Sequence, residues 1–88
     1  MLVVAFLRYL EHEKNYSKNT INAYNADITA FQNFCVTEFE QNELTTIHYN
    51  QIRTWIVALV NKEVSNRSVN RKMSSLKTFY GFLQKIGE

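Results

Sequence analysis

From Met1 to Tyr80 the chain contains neither glycine nor proline; its two glycines are Gly81 and Gly87, and proline is absent. Sheet proteins of this size spend several of both residues on the turns that reverse their strands. A chain so poor in them leans to helix. Its 88 residues, 45% of them hydrophobic, suffice for a single domain over 1–88 with one modest core.

Apolar residues recur at three- and four-residue spacing in four segments, which predicts an all-α fold with helices near 2–14, 18–40, 48–62 and 67–86. In the first, Val3, Phe6, Leu7 and Leu10 share a face, Arg8, Glu11 and Glu13 lie away from it, and Asn15 and Tyr16 end the helix. Ser17 is a good N-cap for the second. There Ile21, Tyr24, Ile28, Phe31 and Cys35 form the stripe, widened by Phe34 and Phe39. Its outer face of Asn19, Asn22, Ala26, Thr29 and Asn33 is uncharged. Thr46 is placed to cap the third helix, whose buried face is Ile52, Trp55, Ile56, Leu59 and Val60. The fourth is capped by Ser65 or Asn66, and its stripe is Val69, Met73, Leu76, Tyr80 and Leu83, flanked by Phe79. Gly87 is a suitable stop.

Several function classes find no support. Cys35, the only cysteine, lies on an apolar stripe and reads as core packing, and a reducing, cytoplasmic setting fits it. No segment approaches the roughly 20 apolar residues of a membrane span. The opening Leu2–Leu10 is broken by Arg8 and lacks a cleavage-site pattern, so it is not read as a signal peptide. His12 and His48 have no companion ligand at metal spacing, and Glu38, Glu40 and Glu43 read as a solvated acidic end. No nucleophile stands beside a base. The expectation is a domain with no catalytic residue, no metal and no cofactor.

Charge is more informative. Residues 1–52 carry three Lys/Arg against six Asp/Glu, whereas residues 53–88 carry seven against two. An anionic partner is drawn to the second half. Arg67, Arg71, Ser74 and Thr78 make one stripe on the fourth helix, beside Asn70, Ser75 and Lys77, with Lys72 nearer the core edge. No acid occurs from Val64 to Ile86. An ordinary solvated helix mixes Glu with Lys; here arginines and small hydroxyls fill the face, a combination suited to phosphates. The second helix begins similarly, with Lys18, Asn19, Thr20 and Asn22 and no acid before Asp27. Both helix starts also offer unpaired N–H groups. The competing reading is a helical protein-interaction module that presents Phe6, Tyr9 and Leu10 of the first helix to a neighbour. The acid-free fourth helix separates the two, because such a module has no need of it.

Two segments carry a family resemblance. Tyr16 to Tyr24 (YSKNTINAY), followed by Asp27-Ile28 and Phe31, resembles the opening motif of the core-binding domain of tyrosine recombinases, the group of phage and transposon integrases and Xer-type resolvases. Ser65 and then Ser68 to Tyr80 (SVNRKMSSLKTFY) are similar to the last helix of that domain. Leu44 to Ile47, leading into a helix with Trp55, fits the spacing between them.

The resemblance implies a compact four-helix SAM-like bundle forming half of a clamp around double-stranded DNA. It implies a separate C-terminal catalytic domain that cuts and rejoins DNA through a phosphotyrosyl intermediate, so this chain is expected to be part of a longer integrase. Other recombinase protomers, assembled with it as a tetramer on DNA, are a further implied partner; a membrane is not. None of Tyr9, Tyr16, Tyr24, Tyr49 and Tyr80 lies in the family's nucleophile context. Lys18, Asn19 and Thr20 match one contact segment, and Ser68, Arg71, Lys72 and Ser75 the other. Periodicity adds Arg67 and Ser74 to the same surface. Asn22 and Asn70 are the candidates for base edges, the rest for phosphates.

Overall fold

The computed structural model of the chain describes residues 2–87. Its elements are α1 (Leu2–His12), α2 (Lys18–Phe39), a 3₁₀ turn (Leu44–Thr46), α3 (Tyr49–Asn61) and α4 (Asn66–Lys85), with no strand among the described residues. Every helix end falls within two residues of its expected place.

Local chemistry sets the boundaries. Ser17 caps α2 by accepting from the Thr20 N–H at 3.2 Å, and Ser65 caps α4 by accepting from the Ser68 N–H at 3.2 Å. Thr46 does not cap α3. Its hydroxyl donates to the Glu43 carbonyl at 2.9 Å inside the connection, and His48 starts the helix, its N–H donating to the Gln51 side chain at 2.8 Å. Each helix is followed by a left-handed residue: Asn15 (φ 53), Glu40 (φ 52), Glu63 (φ 61) and Gly87 (φ 83). Lacking glycine at the first three, the chain uses L-residues there. Asn tolerates this backbone, whereas each glutamate costs about 1–2 kcal/mol. The exits are held by backbone bonds, Gln41 N–H to the Cys35 carbonyl at 3.3 Å and Val64 N–H to the Leu59 carbonyl at 3.1 Å.

The core runs between all four helices. Phe6 of α1 sits at its centre, 5.2 Å edge-on from Phe79 and 5.5 Å from Phe82 of α4. Phe31 of α2 meets Trp55 of α3 at 5.1 Å, which makes Trp55 a core anchor. Cys35 is fully buried, and burial pushes its thiol up, away from reactivity. Tyr80 ties the connection to α4, its hydroxyl donating to the Leu44 carbonyl at 2.8 Å. Desolvation, with the Cys35 sulfur adding to it, raises the Tyr80 phenol well above its ordinary value. Phe6 and Leu10 are wholly enclosed and Tyr9 is partly buried, so Phe6 and Leu10 offer no apolar surface to a neighbour.

The packing corrects three assignments of apolar faces. Val60 of α3 and Phe39 at the end of α2 are exposed, and Met73 of α4 is 47% exposed. In α4 the buried side is Val69, Ser75, Leu76, Phe79, Phe82 and Leu83. The inward face is thus turned towards Ser75 and Phe82, by somewhat less than one residue's step of about 100°. Met73 swings outward, and the positions most directly opposite the core become Asn70, Ser74, Lys77 and Gly81, all exposed.

Candidate nucleic-acid interface

Two serine-capped helix starts carry the expected contact residues. Neither α2 nor α4 has an acid in its first turn, so the partial positive charge of each N-terminus is unopposed there. At α2, Lys18, Asn19 and Asn22 are exposed, while Thr20 is half-buried with its hydroxyl 3.0 Å from that of Ser17. At α4, Arg67, Asn70, Arg71 and Ser74 are exposed and Ser68 is half-buried. Among the described residues, no side-chain hydrogen bond joins the Lys18–Asn22 segment to α4.

The side-chain hydrogen bonds that join α2 to α4 centre on a residue absent from the expected site. Asp27 of α2 is fully buried, and both its oxygens are saturated. Oδ1 accepts from Arg71 Nη2 at 2.7 Å and Lys72 Nζ at 3.0 Å; Oδ2 accepts from Ser75 Oγ at 2.7 Å and Arg71 Nε at 3.1 Å. Burial alone would push this carboxyl up. The donors from Arg71, Ser75 and Lys72 outweigh burial and hold it below the usual carboxylate range. The same contact raises Arg71 further above its already high value.

This cluster changes the role of three expected contacts. Ser75 is buried with its hydroxyl committed to Asp27, so it is no surface donor. The Lys72 side chain, 18% exposed, does not snorkel out; it turns in to Asp27. Arg71 remains 49% exposed while paired, so it alone of the three still faces solvent with charge to spare. Asp27 was legible in principle. It stands with Tyr24, Ile28 and Phe31 at i, i+3, i+4 and i+7 spacing, and a carboxylate on an apolar stripe requires a buried cationic partner.

The family model for the phage integrase N-terminal SAM-like domain matches residues 3–87. The chain belongs to that family. The four-helix architecture is that of a SAM-like domain. Among similar proteins, the domain is 48% identical over 79 residues to the tyrosine recombinase XerC of Leptospira interrogans, covering 89% of this chain and 25% of the relative. It is 42% identical over 78 residues to XerC of Anoxybacillus flavithermus (89% and 26%) and 34% identical over 87 residues to XerC of Oceanobacillus iheyensis (99% and 28%). The chain therefore spans about a quarter of the length of these relatives. No solved structure matches it.

Beside its polar face, the SAM-like domain carries an open groove of about 550 Å³ between α3 and α4. Tyr49, Ile52, Met73, Leu76 and Tyr80 supply the apolar lining, with Asn70, Ser74 and Lys77 along it. Tyr49 is 75% exposed. No group of three His, Cys, Asp or Glu among the described residues is placed to hold a metal ion, and no helix is long and apolar enough to cross a membrane.

Proposed function

We propose that this domain grips double-stranded DNA for a site-specific tyrosine recombinase acting in DNA integration and recombination. It positions the duplex for a separate catalytic domain of the parent chain and itself contributes no reacting group. Other protomers of a DNA-bound tetramer are its further partners, and its setting is the cytoplasm of a bacterium, encoded by the host or a phage. One observation carries this reading: the outward face of α4 bears Arg67, Asn70, Arg71, Ser74 and Lys77 with no acid from Val64 to Ile86. Among the described residues, the carboxylate paired with cations of that helix, Asp27, is buried beneath the face and outnumbered by its two cations. Family membership and the basic start of α2 support it.

Binding of this kind is driven by counterion release. With three to four phosphates neutralised, affinity falls about 40- to 150-fold between 50 and 200 mM salt. Mobility-shift titrations at those two concentrations test this. An affinity unchanged by salt would overturn the clamp and leave the second reading, a protein-interaction module. The apolar groove lined by Tyr49 and Met73 favours that alternative.

A further inference from the structure

The family resemblance places Arg71 among the phosphate contacts, but its bonds to Asp27 leave it a geometry suited to a base edge. A guanidinium has five N–H donors in a fixed fork. Arg71 gives Asp27 its side edge, one N–H from Nε and one from Nη2. That leaves the end of the fork, a parallel pair of N–H groups on Nη1 and Nη2, on a side chain that is half-exposed. Two parallel donors at that spacing match the O6 and N7 acceptors of guanine in the major groove.

Fixation separates reading from mere attraction. A free arginine follows whichever phosphate is nearest and loses rotamer freedom when it binds. Arg71 has already lost that freedom to a fully buried carboxylate, which is itself pinned by Ser75 and Lys72. A donor pair held on a rigid helix by supporting hydrogen bonds is what discrimination between base edges demands. Arg67 and Lys77 are exposed and, among the described residues, pair with no carboxylate, so they are free to follow the backbone.

We infer that Asp27 is a positioning residue for sequence reading: it clamps Arg71 so that the outer edge of the guanidinium meets a guanine in the major groove. The inference rests on the proposed DNA binding. It also predicts an unusual sign. Asp27→Asn removes a negative charge beneath the DNA face, so non-specific affinity holds or rises while guanine preference falls.

Selection of bound duplexes from a randomised pool, using the 88-residue chain, defines the preferred site; quantitative binding to that site follows. The expected result is one guanine position at which 7-deazaguanine, lacking N7, weakens wild-type binding about five- to hundred-fold. Inosine, which keeps O6 and N7, leaves it unchanged. Arg71→Lys, which retains a cation for Asp27, abolishes sensitivity to 7-deazaguanine at that position, and so does Asp27→Asn. Far-UV circular dichroism checks that each variant is folded; should Asp27→Asn unfold, Ser75→Ala, which removes one of the bonds that pin Asp27, takes its place and is expected to reduce the sensitivity. A wild type with no guanine preference, or a preference that survives Arg71→Lys or a folded Asp27→Asn, overturns the inference while leaving DNA binding intact. A wild type that binds no duplex overturns both.

Discussion

Ser75 Oγ lies 2.7 Å from Asp27 Oδ2, and neither side chain reaches solvent. This bond makes a serine part of the α2–α4 interface. Ser75→Ala leaves the carboxylate one donor short in a dry site, at a cost of about 1–3 kcal/mol. Urea unfolding is expected to show a lower midpoint with an unchanged slope.

The same carboxylate governs acid stability. Its native pKa is lowered, against an ordinary value of about 3.9 in the unfolded chain. Its contribution is therefore fully present above that ordinary value. It is lost as pH falls through the depressed native one. Unfolding midpoints measured from pH 6 to pH 2 should fall steeply in the wild type below about pH 4. The steepness should be reduced in Asp27→Asn.

The rotation of α4 is checked by a pair of truncations. Phe82 is buried against Phe6 and Tyr9, so Phe82→Ala should cost about 3–5 kcal/mol, enough to unfold a small domain. Met73 borders an open groove, so Met73→Ala should cost less than about 1 kcal/mol. Equal losses in chemical denaturation would restore the orientation expected from hydrophobic spacing.

Two backbone positions are open to improvement. Glu63 takes a left-handed conformation that glycine adopts freely, so Glu63→Gly should stabilise by about 0.5–1 kcal/mol. Gly81 stands inside α4, one turn from its end, on the outer face, where an added Cβ meets nothing within 4 Å. Gly81→Ala should gain about 0.5–1 kcal/mol by restricting the unfolded chain. Thermal melts read both. A gain from Gly81→Ala accompanied by weaker DNA binding would show that the glycine is kept for close approach to a ligand.

Helix existence and most boundaries were legible because they depend on local chemistry: serine caps, and apolar spacing that leaves one choice of face. The face of α4 was not, because Val69, Met73, Leu76, Phe79, Tyr80, Phe82 and Leu83 wrap about half of the helix. Spacing alone admits two orientations there. The choice falls to Ser75, a polar residue that goes inside only because Asp27 awaits it 48 positions away in sequence. The site was legible in part for the same reason. Lys18, Asn19, Asn22, Arg67, Asn70 and Ser74 are exposed as residue type suggests. Lys72 and Ser75 are drawn inward by a carboxylate whose role no single-helix pattern reveals.

The enclosure of Cys35 gives the domain a reporter of its own opening. The only thiol in the chain is fully buried, in contact with no solvent. A thiol-specific reagent can react only in the moments when the helices part, so its labelling rate measures how often the native bundle breathes. A duplex bound across α2 and α4 would slow that clock without touching the sulfur.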